Sequence, residues 1–182
     1  MGLEMEILLW IHENISGGIM DSLMKYISIS GDHAAIWILI VLILLINKPT
    51  REIGVIMAIA LLFGQVLNDV IIKPLVGRPR PFMEDPSLLL LISPPGGYSF
   101  ASGHVVKAFA AAFVLFIHDK KLGIPLMVYA ILMAFSRIYL LVHYVSDVIA
   151  GALIGMLCAV TAYIIVNGIK KKYEDPGVEA GK

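Results

Sequence analysis

Three ionisable side chains, Arg137, His143 and Asp147, stand inside one of the most apolar stretches of the chain, Ser136-Arg-Ile-Tyr-Leu-Leu-Val-His-Tyr-Val-Ser-Asp147. An Asp, Lys or Arg at the centre of a membrane helix costs roughly 2.5–3.5 kcal/mol on insertion scales, so such groups are functional candidates by default. His143 and Asp147 are four positions apart, which on a helix puts them one turn apart on one face. A carboxylate that accepts the proton of one imidazole nitrogen leaves the other free to attack, the logic of a nucleophile with its orienting partner. A buried His–Asp hydrogen bond that only ties two helices together is the structural alternative, and this stretch alone is compatible with both.

Two further clusters bear on the choice. Lys73-Pro-Leu-Val-Gly-Arg78-Pro-Arg80-Pro81 sets three cations among Pro74, Pro79 and Pro81. Those prolines predict that the chain leaves its helix and turns as an extended loop. Arg supplies planar paired donors and Lys a compact charge, so such a loop could clamp an anion. It could equally be a basic cluster that touches lipid headgroups. The second cluster, Ser102-Gly103-His104, follows Pro94-Pro-Gly-Gly97 and opens an apolar run. It therefore falls at a helix N-terminus, where free N–H groups and the dipole favour an anion. A plain Ser102 N-cap with His104 at the membrane interface is the alternative.

In this order and at these spacings the three motifs resemble the type 2 phosphatidic acid phosphatase family of lipid phosphatases, which shares its site with vanadium-dependent haloperoxidases. The family pattern is Lys-x6-Arg-Pro, then Pro-Ser-Gly-His, then Ser-Arg-x5-His-x3-Asp. The chain has Lys73 with Arg80-Pro81, then Ala101-Ser102-Gly103-His104, then Ser136-Arg137, His143 and Asp147. The resemblance spans about residues 20–167 and departs at Ala101, where the family has Pro. The lost rigid φ predicts a looser segment there, not a dead enzyme.

The resemblance implies that His143 attacks phosphorus to form a phosphohistidine while Asp147 fixes its tautomer. It implies that His104 protonates the leaving oxygen and then activates the hydrolytic water. Lys73, Arg80, Arg137, Ser102 and the Gly103 N–H would hold the equatorial phosphate oxygens. The residue types agree: one His with a carboxylate partner, one without, and three cations. Lys and Arg doing the charge work makes a metal unnecessary, and no cofactor is expected. A metal site of His104, His143 and Asp147 is the alternative. Lys107, three positions after His104, is a possible headgroup contact that adds positive potential for a diphosphate, or else a Lys that snorkels at a bundle edge. Arg78 is the other possible headgroup contact.

These residues must be positioned by membrane helices. The chain is 59% hydrophobic, above the 45–50% or so of soluble domains, and its formal net charge is zero, which argues against a nucleic-acid partner. Cys158 is the single cysteine, so no intrachain disulfide forms. Glu4 and Glu6, with no Lys or Arg before them, do not resemble a cleaved signal peptide. The expected fold is all-α: a polytopic membrane bundle of about five spans, or six if the N-terminal segment crosses too. Residues 1–29 read as two amphipathic helices at the membrane surface, with a helix packed into the bundle as the alternative. Residues 30–169 form the membrane domain, with apolar runs near 30–47, 53–72, 102–118, 122–139 and 143–169. Residues 170–182 read as a disordered cytoplasmic tail.

With five spans, Lys48, Arg51, Lys120, Lys121 and Lys170, Lys171 and Lys172 fall on one side, cytoplasmic by the positive-inside rule. All three motifs then fall on the other side, the extracytoplasmic face of what is expected to be the plasma membrane. Gly151-Ala-Leu-Ile-Gly155 predicts close packing inside the bundle more than dimerisation. Arg137 and His143 are six apart, about 240° on a continuous helix, so the helix must break between residues 138 and 142 for both to face one phosphate.

The function that follows is hydrolysis of a lipid phosphate monoester or diphosphate. The family implies a polyprenyl diphosphate, phosphatidylglycerophosphate or phosphatidic acid as substrate. Phosphoryl or headgroup transfer at the same site and a non-catalytic lipid-phosphate binder or transporter are the alternatives. Oligomeric state stays open.

Overall fold

Long runs of Leu, Ile, Val and Ala make the helices, and Gly, Pro and short polar segments end them. The computed structural model describes residues 2–174, and among them there is no strand. The helices are α1 Leu3–Ile15, α2 Gly18–Ser30, α3 Ala35–Ile46, α4 Arg51–Gln65, α5 Lys73–Val76, α6 Pro81–Glu84, α7 Gly103–His118, α8 Lys120–Tyr139 and α9 Val145–Glu174. The molecule is an all-α polytopic membrane bundle. Residues 170–174, expected in a disordered tail at 170–182, belong to α9, and residues 175–182 lie outside the described residues.

Three stretches are long and apolar enough to cross a membrane: Lys48–Glu84, Lys120–Tyr139 and Val145–Tyr173. A fourth exists if α2 and α3, bent by 53°, form one broken span. The expected third run is α7, with only 16 residues. That is about 24 Å of helix against a hydrocarbon core of about 30 Å, so α7 is shorter than the stretches just named. α7 is instead the hub, packed against α4, α8 and α9. Its buried face is rich in Ala108, Ala110, Ala111 and Ala112. α9 approaches it through Gly151 and Gly155: a Cβ at Gly155 would lie 2.4 Å from the Val106 carbonyl oxygen. The small-residue motif thus packs inside the bundle.

The Pro-rich motif behaves differently from the expected extended loop. α4 runs into a π-helical segment, Val66–Ile72, and then into α5 through Pro74. The wider π-turn reorganises the i→i−4 ladder that a proline would otherwise break, so helix continues to Gly77. Gly77 stops it at φ +61, and Pro81 starts α6. Lys73 is therefore helical, while Arg78 and Arg80 lie on the short turn.

The N-terminal helices are part of the bundle. α2 packs on α8 and buries Met24 and Ser28. α1 buries Met5 and Leu8 against Leu141 and Tyr144. The boundary expected at residue 29 falls inside α2, and the packed-helix alternative describes α2 better than a free surface helix. The expected break between Arg137 and His143 is present: α8 ends at Tyr139, α9 starts at Val145, and Leu141 turns with φ +59. Lys170 Nζ bonds Glu52 at 2.8 Å, which joins the end of α9 to the start of α4 at one end of the bundle. The motif residues gather at the other end.

Gly155→Ala forces a Cβ onto the α7 backbone and is expected to cost about 1–3 kcal/mol. Gly168→Ala, with nothing within 4 Å of its added Cβ, is expected to be neutral or slightly stabilising. Thermal unfolding of both variants in detergent checks the contrast.

Candidate active site

The start of α9 builds the first half of the site. Asp147 occupies the third position of the helix, and its Oδ2 accepts the Tyr144 N–H at 2.8 Å, the reach-back half of a capping box. This pins the carboxylate beneath His143, which precedes the helix and does not lie on its face. His143 Nδ1 sits 3.5 Å from Asp147 Oδ2, a long contact, and Ser99 Oγ lies 3.4 Å from the same nitrogen while donating to Asp147 Oδ2. On the far side of the ring, Nε2 is 3.2 Å from Arg80 Nη1. A guanidinium has donors only, so Nε2 is the acceptor and the ring proton sits on Nδ1. The lone pair that could attack therefore points at Arg80. Burial holds the His143 imidazole well below its ordinary pKa against the pull of Asp147, and the Arg137 and Arg80 charges add to the fall. Burial therefore favours the neutral ring, with the Nε2 lone pair free of a proton.

Two of the cations lack a carboxylate partner among the described residues. Arg80, 4% exposed, donates to the carbonyls of Gly96, Gly97 and Val142, and Asp147 and Asp69 act on it only at longer range. Arg137, 2% exposed, gives Nη1 to Ser28 Oγ and leaves its Nε without a partner among the described residues. Arg80 and Arg137 also repel each other. Ser102, the N-cap of α7, is fully buried, and its Oγ also has no partner among the described residues. Its N–H bonds the Asp147 carbonyl at 3.1 Å, which locks the start of α7 to the start of α9.

The remaining cations are paired. Lys73 bonds Asp69 at 2.6 Å one turn back, and a Cβ at Gly103 would lie 3.4 Å from Lys73 Nζ, so Lys73 stands beside the α7 N-terminus. Lys107 faces the same Asp69 at 3.8 Å, which offsets the extra potential expected of it as a headgroup contact. Arg78, the other possible headgroup contact, is held by partners within the protein. It bonds Asp147 Oδ1 at 2.9 Å, Glu4 at 2.6 Å and Ser146 Oγ at 2.7 Å, and lies 3.8 Å over the Tyr144 ring. It backs the carboxylate from behind.

His104 also departs from expectation. Its Nε2 is 2.8 Å from Asp32 Oδ1, so both histidines have carboxylate partners. A cavity of about 780 Å³ opens between α2 and residues 90–95, with His104, Arg137, Asp32 and Ser28 among its walls and Leu90, Leu91 and Ile92 on one side. The Ala101 segment is tied, not loose: Asn68 Nδ2 reaches the Ala101 carbonyl at 3.2 Å, and Ser99 N–H the Arg78 carbonyl at 2.8 Å. Among the described residues no three His, Cys, Asp or Glu side chains form a metal-ligand group. Sequence reasoning missed Glu4, Ser28, Asp32 and Ser99 in the site. Only Asp69, four before Lys73 in an apolar run, carried a readable signal.

A family model described as the PAP2 superfamily matches residues 49–171. The chain is similar to the undecaprenyl-diphosphatase of Sulfolobus acidocaldarius, with 35% identity over 75% of this chain and 66% of that protein. It is similar to the decaprenylphosphoryl-5-phosphoribose phosphatase of Mycobacterium tuberculosis, with 36% identity over 69% of this chain and 68% of that one. The aligned segments thus span about two thirds of these relatives' own lengths. Among solved structures, Aquifex aeolicus LpxE superposes with a TM-score of 0.77 at 29% identity, covering 90% of this chain and 96% of that chain. Glu4, Ser28 and Asp32 precede the segment that the family model matches.

Arg78→Gln removes a charge-assisted bond to Asp147, worth about 1.5–3 kcal/mol, and is expected to lower kcat about 10- to 100-fold with KM changed less than about 2-fold. Arg80→Gln is expected to raise KM as well. Steady-state kinetics on a lipid phosphate separates backing from binding.

Proposed function

The chain belongs to the PAP2 superfamily of phosphatases, and from that premise we propose that it hydrolyses a lipid phosphate through a phosphohistidine on His143, without a metal. One observation carries the reading: Arg80 and Arg137 are buried cations with no ion-pair partner among the described residues, Arg80 Nη1 lies 3.2 Å from His143 Nε2, and the Arg137 charge acts on the same ring. A buried charge left unpaired costs on the order of several kcal/mol, which a phosphate group there would offset.

In the proposed reaction the phosphoryl oxygens take donors from Arg80, Arg137, Ser102 Oγ, Lys73 and the first amides of α7. His143 Nε2 forms a bond to phosphorus as the bond to the leaving oxygen breaks, and His104 gives that oxygen its proton. Water then attacks the phosphohistidine, His104 takes the water's proton, and inorganic phosphate leaves with His143 neutral again. Asp147 stays a carboxylate throughout and steadies Nδ1–H, held by Arg78, Ser99 and the Tyr144 amide.

The relatives named for polyprenyl-linked substrates support a polyprenyl diphosphate or polyprenyl-linked monophosphate. Phosphatidylglycerophosphate and phosphatidic acid are the other members of the class. Leu90, Leu91 and Ile92 beside the cavity suit a tail that stays in lipid. The Lys- and Arg-rich end opposite the site supports an active site on the extracytoplasmic face of the plasma membrane.

Purified protein in detergent with EDTA is expected to release phosphate from a polyprenyl diphosphate, and His143→Ala to reduce release to background. Brief incubation with labelled substrate is expected to leave an acid-labile phosphoenzyme. Loss of activity in EDTA, or label that appears only on an added alcohol acceptor, would reject metal-free hydrolysis.

A further inference from the structure

The site contains a second His–carboxylate pair, His104 with Asp32, whose carboxylate has no part in the proposed reaction. Asp32 Oδ1 is 2.8 Å from His104 Nε2. The placement is built by the end of α2. Gly31 caps that helix, and the Ala34 N–H returns to the Gly31 carbonyl at 3.3 Å, so residues 32–34 form a short 3-10 turn. Gly31 also makes room for the ring: a Cβ there would lie 2.9 Å from His104 Cδ2 and 2.6 Å from Met133 Cε. The sequence Gly31-Asp32 therefore seats the imidazole and presents a carboxylate to it in one step.

The two pairs differ in setting. The Asp147 side chain is fully buried behind the nucleophile, whereas the Asp32 side chain is 46% exposed and lines the same cavity as His104 and Arg137. Burial, with the positive field of Arg137 and then Lys107, pushes the His104 imidazole down to about 4, and Asp32 is the group that pulls against that fall. A general acid must hold its proton until the leaving group departs. The need depends on that group: an alkoxide requires full protonation, whereas a phosphate or a nitrophenolate leaves readily as an anion.

We propose that Asp32 is a positioning residue that orients His104 and strengthens its hold on a proton as the leaving group departs, and so extends the chain's substrates from lipid diphosphates to lipid phosphate monoesters with an alcohol leaving group. This rests on the phosphatase reading above. Asp32 holds the Nε2–H, so Nδ1 is the nitrogen that exchanges a proton with substrate. In the first step the P–O bond to the alcohol breaks as the bond from phosphorus to His143 Nε2 forms, and the His104 Nδ1 proton moves to the departing oxygen. In the second step Nδ1 takes a proton from the attacking water. Asp32 remains a carboxylate in both. It precedes the segment matched by the family model, so this support comes from the N-terminal helices of this chain.

The test compares wild type, Asp32→Asn and Asp32→Glu in detergent on phosphatidic acid, a polyprenyl diphosphate and p-nitrophenyl phosphate. The readout is kcat/KM, which covers the steps through leaving-group departure and is blind to later hydrolysis of the phosphohistidine. Asp32→Asn is expected to lose about 100-fold on phosphatidic acid, within the range of general acid catalysis, and less than about 5-fold on the other two. Asp32→Glu is expected to recover part of the monoester activity. An equal loss on all three substrates, which a damaged fold or pocket would produce, overturns the proposal. So does no loss on phosphatidic acid, or a wild type that cleaves the diphosphate but never the monoester. A wild type inactive on all three rejects the phosphatase reading instead.

Discussion

Two guanidiniums, Arg80 and Arg137, sit inside the bundle with carbonyls, a serine hydroxyl and an imidazole around them and no ion-pair partner among the described residues. Placing a cation in such a position is unfavourable unless its hydrogen bonds are arranged and an anion can share the space. The surrounding structure supplies the arrangement. Residues 96–97 and Val142 hold Arg80 by their carbonyls, and Ser28 on α2 holds Arg137. The other cations are neutralised: Asp69 takes Lys73 and Lys107, while Glu4 and Asp147 take Arg78. Positive charge that could meet a phosphate is thereby concentrated beside one histidine.

Convergence at one end of the bundle depends on close helix packing. α7 is short, and Gly151 and Gly155 bring α9 against its backbone. That proximity lets Ser102 N–H bond the Asp147 carbonyl, so the anion-binding start of one helix and the carboxylate-bearing start of the next share a hydrogen bond. Asp147 then meets several demands with its two oxygens: it caps α9, accepts Ser99, faces His143 and receives Arg78. A group so fully engaged has little freedom to rotate, which suits the proposed task of holding a tautomer. The N-terminal helices complete the arrangement. Glu4 clamps Arg78 and the Ser146 amide from α1, and the end of α2 carries Ser28, Gly31 and Asp32 to the cavity wall.

The two histidines are thus tuned by different surroundings. His143 is enclosed, neutral and faced by guanidiniums. His104 borders a cavity and has a half-exposed carboxylate. One environment favours a lone pair, the other a proton in exchange with substrate and water. The Arg137 charge acts on both rings, and the outward faces of the bundle are apolar.

The sequence by itself determined the helical class, the motif residues and the need for a break between Arg137 and His143. Those follow from local rules: apolar run length, the meaning of an ionisable residue in apolar sequence, and helical spacing. It also pointed to the pairing of His143 with Asp147, four positions apart. Tertiary structure alone decided which cations stay unpaired, because that depends on partners such as Glu4 and Arg78 that lie 74 residues apart. It likewise decided that α2 is a wall of the site, that Pro74 is carried through by a π-turn, and that Asp32 meets His104 across 72 residues of chain. A one-dimensional pattern records spacing along the polymer, while a carboxylate's effect on a ring falls off with distance through space. Only the folded bundle sets that distance.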